Sequence, residues 1–322
     1  MGTFINVKEV DLTIFPDTNG ALSAIISDLC QTSEEATVPV ATPCVGSDLD
    51  DVVYQQIAEI LRNQQNFHLE GYKTLCIKRR MAARIRSAGY KDPDAYVTLL
   101  QKNIREQEHL LAALSVHVSH FFRNKSVFHA LDKQIIPALL KSSRRNKSKL
   151  RIWSIGCANG EEPYSVALLC QKQQLKGDLL SIVGTDLSPE ALTRAKRGIF
   201  TAERVQNVSS SMLTDFFISR DQQYQLIEPI RERVQFFRHD ILIDQPFYRA
   251  NLILCRNLLI YFSREQQQLI IEILAATLLP GGYLVLGRAE TMASACRKLF
   301  VCIDPAERIY QRIGIKEDCE TG

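Results

Sequence analysis

The chain is 322 residues long, with 46% hydrophobic and 23% charged residues and a formal net charge of +3. That length accommodates one large domain and a smaller one. The near-neutral balance argues against a bulk nucleic-acid binder, and no run approaches the ~18–20 apolar residues of a membrane span.

The first fifteen residues, MGTFINVKEVDLTIF, lack a basic region followed by an apolar run, so no secretory leader is expected. Gly2 does not start a myristoylation signal, because Asn6 stands where Ser or Thr is required. The chain is read as cytoplasmic. Nine cysteines, none in a C-x-x-C pair, are expected to be reduced core thiols and not a disulfide framework or a zinc site.

In chain order, residues 1–47 show no convincing period and read as a poorly ordered extension, with one short helix near 22–29. Helical spacing begins at Asp48, with Val52, Ile57, Ile60 and Leu61, and continues through 75–85, 95–100 and 104–114. An all-helical domain over 48–128 follows. Residues 129–149 read as a linker ending in the basic run KSSRRNKSK. Beyond it, RIWSIG, SIVGTD, RVQFFRHD, NLILCR and YLVLGR alternate with helical stretches, the pattern of a parallel α/β sheet over 150–315. The alternation pauses between about 198 and 232, where a small insert is expected, with YQLIEPI as one of its strands.

Chemistry concentrates at the ends of these strands. In IGCANGEEPYS (155–165), Gly156 and Gly160 let the backbone approach a ligand, and Pro163 suits a first helical turn. The loop lacks the Gly-Lys-Ser/Thr ending of a phosphate loop, and Ala158 and Glu161 break the dinucleotide spacing. Glu161 and Glu162 would repel a pyrophosphate but suit a cationic ligand, while also favouring the helix N-terminus. Asp186 ends the next strand, where nucleotide-binding sheets place an acid for ribose hydroxyls. Asp240 ends the following one, and Arg256, Asn257 and Tyr261 follow the apolar run LILC. His117 and His120 lie at i, i+3, but no third ligand is evident and no metal is expected.

Over residues 48–312 the sequence resembles the CheR-type chemoreceptor glutamate methyltransferases. The motifs carrying the resemblance are SHFFRN (119–124), IWSIGCANGEEPYSVALL (152–169), GTDLSPEAL (184–192), AKRGIFT (195–201), LCRNLLIYF (254–262) and LLPGGYLVLGRAE (278–290). It implies a Rossmann-like S-adenosylmethionine-dependent methyltransferase sheet, with an N-terminal helical domain and an inserted β-subdomain. It also implies transfer of a methyl group to glutamate carboxylates of chemoreceptors, with S-adenosylhomocysteine as product. Position by position, Ser119 and Arg123 match residues lining the cofactor, Glu162 the acid near its amino group and Asp186 the ribose acid. Asp240 matches the adenine end, Cys255 and Arg256 continue that wall, and His117, Gly156 and Ile241 complete the expected contacts. Arg123 and Tyr261 match the pair beside the transferring methyl; Arg123 could instead hold the cofactor's own carboxylate.

His117 and Asp240 stand where other members carry Asn, and Arg288-Ala289 replaces a His-Ser pair before Glu290. The insert segment FISRDQQY (217–224) is short and glycine-free, whereas some members dock a receptor pentapeptide tether on a longer glycine-containing loop; no need for a tether is expected here. Lys78, Arg79, Arg80, Arg84 and Arg86, on a helix with Leu75, Ile77, Met81 and Ile85 as its apolar side, form an expected docking surface for the acidic methylation helices of receptors. Two other readings keep the cofactor site: methylation of a different acceptor, or a non-catalytic cofactor-binding signalling domain.

Overall fold

Hydrophobic periodicity in the first part of the chain produces a four-helix unit. The computed structural model describes residues 49–65, 67–114, 119–173, 179–246 and 249–313. The readings made for residues 1–47 lie outside the described residues, which belong to one compact unit.

The helical unit contains α1 (Asp51–Gln65), α2 (Thr74–Ser87), α3 (Pro93–Lys102) and α4 (Ile104–Leu114). Its core joins Val53, Tyr54, Ile57 and Leu61 of α1 to Ile77, Met81 and Ile85 of α2 and to Tyr96, Leu100, Leu110 and Leu114. Two positions depart from the expected faces. Val52 and Leu75 are 65% and 59% exposed, because the buried stripe of α1 begins at Val53 and that of α2 at Ile77. Asp92 caps α3 by accepting from the Asp94 amide, with Pro93 in the first turn. A buried polar knot then locks the bundle: Arg84 donates to both oxygens of Glu106 (2.8 and 2.6 Å) and the Tyr96 hydroxyl donates to the same carboxylate (2.7 Å).

The segment 129–149 departs from the linker reading. It continues α5 (Lys125–Ala130) through a π-helical turn (Leu131–Ile135) into α6 (Ile136–Arg145). Phe128, Leu131, Ile135, Ile136 and Leu139 bury themselves in the same core as Leu150 and Ile152 of the sheet. The basic run therefore begins on the last turns of a packed helix, where its cations suit the negative helix end.

Seven strands make the main sheet: β1 (Leu150–Ile155), β2 (Leu180–Asp186), β6 (Val234–Arg238), β7 (Ala250–Cys255), β8 (Leu278–Leu286), β9 (Phe300–Asp304) and β10 (Ile309–Arg312). Their order is β6-β2-β1-β7-β8-β10-β9. The first five run parallel, whereas β10 is antiparallel to β8 and to β9. Alternation sends Ile152, Leu252 and Leu254 to one face and Trp153, Ile155 and Ile253 to the other, so both faces are buried and the strands read as continuous apolar runs. α7 (Glu161–Lys172) and α8 (Pro189–Arg197) follow β1 and β2, and Arg264–Thr277 forms the helix before β8. β1 pairs with β2 on one side and β7 on the other, so the order reverses there; an open α/β sheet binds its ligand outside the carboxyl ends of such a switch point.

The insert is a three-stranded antiparallel sheet, with β5 (Gln223–Leu226) between β3 (Ile199–Thr201) and β4 (Phe217–Arg220). Only the first part of YQLIEPI is strand; its Glu-Pro-Ile begins the short helix Glu228–Arg231, where Pro229 suits the first turn.

Candidate active site

Two cavities meet at the carboxyl ends of β1 and β7 and share Gly156 and Asn257 in their walls. The larger, about 760 Å³ including its open mouth, is walled by Ile155, Asp186, Leu187, Asp240, Ile241 and Leu258 from the sheet side. Phe67, Tyr72, Ile77 and Leu114 of the helical unit and the loop residues Tyr261 and Phe262 close it. The smaller is lined by Ser119, His120, Arg123, Phe128, Ala158, Glu162 and Arg256.

At the strand ends, Asp186 is held by two backbone amides: Ala158 N donates to its Oδ2 (2.9 Å) and Ser188 N to its Oδ1 (3.0 Å). These two amides fix the carboxylate at the strand end, where its oxygens are acceptors of the kind a diol needs. Gly156 sits at φ +67°, where a Cβ would also meet the Leu258 side chain at 3.3 Å; a side chain here would narrow the passage between the cavities. Burial, reinforced by the charge of Asp244, pushes the Asp240 carboxyl above its ordinary range, and its Oδ1 accepts from Leu242 N (3.0 Å). Burial holds the neighbouring His239 below its ordinary pKa, so the ring is neutral near pH 7.

Glu162 accepts from the Ser154 hydroxyl (2.8 Å) and pairs with Arg256 Nη1 (2.9 Å). Arg256 Nη2 also donates to the Arg123 carbonyl (2.9 Å) and to Asn124 Oδ1 (3.0 Å), with its guanidinium over the Phe128 ring. The guanidinium thus joins the helix after β1 to the loop carrying Arg123. That loop is strained on both sides of Arg123, with Phe122 at φ 52° and Asn124 at φ 62°. Non-glycine residues reach this region at a cost of roughly 1–3 kcal/mol each and persist when the surroundings hold them. Here Phe122 N donates to the Ser165 hydroxyl (2.9 Å), and Arg256 holds the other side. Ala158 (φ 51°) and Asn257 (φ 59°) carry the same strain on the cavity walls.

The residues named from sequence separate into groups. Gly156 lines both cavities, and Ser119, Arg123, Glu162, Asp186, Asp240, Ile241, Arg256 and Tyr261 each line one of them. Cys255 lines neither: it is fully buried in the core between β7 and the covering helix, and its thiol pKa is raised well above normal by that burial. His117 lies outside the described residues. Arg123 and Tyr261 stand in adjoining cavities.

The basic helix also divides. Lys78 is buried and paired with Asp51, and Arg84 is committed to Glu106, so neither presents a free charge. Arg80 lies over the Tyr261 ring, 4.4 Å from its centre, and donates to the Leu114 carbonyl. Arg79 and Arg86 are exposed.

Sequence reading missed Phe67, Tyr72 and Leu114 as cavity residues. Tyr72 pairs with Phe262 through a β-bridge and a ring contact (4.6 Å), and burial raises its phenol pKa far above normal, helped by Asp240 and Asp186. No local signal in the sequence distinguished it from a core aromatic.

A doubly wound sheet with a glycine turn, a strand-end aspartate and an apolar slot beside it defines an α/β enzyme domain for a nucleoside cofactor. Residues 117–307 match the family model described as CheR methyltransferase, SAM binding domain, and residues 53–115 match CheR methyltransferase, all-alpha domain. The chain belongs to the CheR methyltransferase family. It is similar to the chemotaxis protein methyltransferase of Listeria monocytogenes, at 32% identity over 237 residues, covering 74% of this chain and 89% of the relative. It is also similar to chemotaxis protein methyltransferase 2 of Vibrio cholerae, at 30% identity over 253 residues, covering 76% and 87%. The chemotaxis protein methyltransferase of Escherichia coli is 27% identical over 262 residues, covering 78% and 88%. The cofactor is S-adenosylmethionine, and the cavities fit it: acceptors at Asp186, an apolar slot for a base, and the carboxylates of Glu162, Asp186 and Asp240 around a cationic ligand.

Proposed function

We propose that this methyltransferase esterifies glutamate side chains on the cytoplasmic methylation helices of chemoreceptors, and that it acts without a receptor tether. The observation carrying the reading is the groove itself. Arg123 sits on a strained, clamped loop in one cavity, Tyr261 helps close the adjoining one, and the basic helix α2 reaches Tyr261 through Arg80. The names of the Listeria, Vibrio and Escherichia relatives supply the chemotaxis setting.

When bound, the cofactor supplies an electrophilic methyl group. The free glutamate acceptor, with a pKa of about 4.3, is already ionised at neutral pH and needs no general base. The chain's residues therefore have to hold and orient. Asp186 takes the ribose end and Glu162 the amino end, while the slot between Ile241, Leu258 and Phe67 excludes water. Arg123 meets a carboxylate by charge-assisted hydrogen bonds. Too close a pairing would weaken the nucleophile, so Arg123 shares its positioning role with Tyr261.

Docking on α2 rests on Arg79 and Arg86, since Lys78 and Arg84 serve the bundle. Tether independence is supported by the β4–β5 hairpin, which turns on Asp221 and Gln222 at φ 48° and 61°, a two-residue connection with no loop to wrap a peptide.

The test is transfer of radiolabelled methyl to receptor cytoplasmic fragments with and without their C-terminal residues, beside Arg123→Ala. Base-labile label on both fragments, lost in Arg123→Ala, is expected. Tight cofactor binding with no receptor labelled would redirect the function to another acceptor or to sensing.

A further inference from the structure

The loop after β7 carries Asn257, Leu258, Tyr261 and Phe262 into the cavity walls, yet only its middle has any regular structure, a single 3-10 turn at Leu259–Tyr261. A carboxylate from a different strand end holds it. Glu290, 3% exposed, accepts at Oε2 from Asn257 N (3.0 Å) and Gly287 N (2.5 Å), and at Oε1 from Leu259 N (2.7 Å). The Ile260 amide also donates to this carboxylate. One side chain thus gathers four backbone donors from the ends of the neighbouring strands β7 and β8.

Two further features fit this role. Asn257 holds a left-handed φ of 59°, a conformation a non-glycine residue keeps only when its surroundings fix it, and its amide is one of the four donors. Gly287 is obligatory beside it: an added Cβ would lie 2.6 Å from Glu290 Oε2 and 2.8 Å from Asn257 N. Burial alone would favour the neutral acid, and the four amide donors oppose that by favouring the charged form. From the other side the loop is tied to the helical unit, where Lys73 Nζ donates to the Ile260 carbonyl and Lys73 N to the Tyr261 carbonyl (both 2.8 Å).

We propose that Glu290 is a positioning residue for methyl transfer, acting through the backbone of residues 257–260 to set Tyr261 and Asn257 at the reacting end of the groove. This rests on the reading of Tyr261 given above. Glu290 lines neither cavity; it substitutes for the regular hydrogen-bond ladder that this loop lacks.

The test uses the full chain with Glu290→Gln, whose NH₂ group turns a donor toward some of the four amides, and Glu290→Asp, which keeps the charge but shortens the reach. Amide hydrogen exchange is measured without cofactor or acceptor. Exchange at 257, 259, 260 and 287 should rise roughly 10-fold or more in Glu290→Gln, while amides of α3 keep their protection. Turnover on receptor fragments should fall about 10–100-fold, the range of a small misplacement of a reacting group, with cofactor affinity changed less than about 3-fold. Glu290→Asp should recover part of both effects, and it carries the test if Glu290→Gln does not fold. In a Tyr261→Phe background Glu290→Gln should cost far less turnover, since positioning an absent hydroxyl gains nothing. Unchanged exchange at these four amides, or an equal loss in both backgrounds, would overturn the proposal. Wild-type turnover in Tyr261→Phe alone would instead remove Tyr261 from the reaction, and the Glu290 role with it.

Discussion

Arg256→Met tests whether the buried guanidinium is the clamp of the Arg123 loop. Its side chain is 2% exposed and its partner Glu162 is 13% exposed, so the pair is largely out of water. Methionine fills similar volume over the Phe128 ring but leaves Glu162 with the Ser154 hydroxyl and leaves Asn124 and the Arg123 carbonyl without their donor. Removing one member of a buried pair costs about 3–5 kcal/mol, chiefly through the charge left behind. Because Glu162 faces a cavity that water can enter, the lower end, about 3 kcal/mol, is expected. At roughly 2–4 °C per kcal/mol for a chain of this class, Tm should fall by about 6–12 °C. Thermal and urea unfolding of Arg256→Met, Glu162→Gln and the double variant give the coupling. The double variant should be more stable than additivity allows, by about 1–3 kcal/mol, because the stranded charge is gone. A Tm change below about 2 °C, or strict additivity, would refute the reasoning. Arg256→Lys should not rescue the loop, since a point charge cannot span Glu162 and Asn124 as the guanidinium fork does.

His239 keeps a lowered pKa by burial, so the native protein leaves it neutral where an unfolded histidine, near 6.5, takes a proton. Its contribution is present above about pH 6.5 and is lost as pH falls toward the folded value, so stability should drop from pH 7.5 to 5.5 and His239→Gln should flatten that slope in urea titrations. An identical slope in the variant would count against it. Gly160→Ala should cost about 1–3 kcal/mol, because φ is +89° and the new Cβ would meet Phe236 at 3.0 Å; equal denaturation midpoints would show the turn is relaxed. Charge reversal at exposed Arg79 and Arg86 should slow receptor methylation several-fold at low salt with cofactor affinity unchanged, and the gap should close as salt rises. A salt-independent effect would place these residues elsewhere in the mechanism.

Part of the site was legible because several of its residues sit at strand ends that local sequence marks. Gly156, Asp186 and Asp240 follow short apolar runs, and a parallel sheet buried on both faces has to deliver the ends of such runs to one edge. The same logic placed Arg256 and Tyr261. Local patterning failed where burial was settled by partners distant in sequence. Val52 and Val53 are equivalent by composition, and only the packing of α2 and α3 selects the second. The basic run near 141–149 looked like a solvated linker because its charges follow a helix whose apolar face precedes them.

By itself the sequence determined the five parallel strands and the helices between them, the helical unit, the glycine turn and its acids, and the resemblance that named the cofactor; the antiparallel pair β9 and β10 and the helices over 125–145 were not read from it. The features that were read depend on residue type at short spacing. Only the tertiary structure decided what each charge does. Lys78 and Arg84 meet Asp51 and Glu106 and leave the docking face, and Cys255 turns into the core instead of the cavity. Arg256 becomes a clamp, Tyr72 crosses from the helical unit to the apolar cavity at the strand ends, and Glu290 gathers amides from two strand ends. Those outcomes follow from contacts between residues tens to hundreds of positions apart. A side chain's ionic and hydrogen-bonding role is set by the partners that folding brings to it, and these leave no signature at short range.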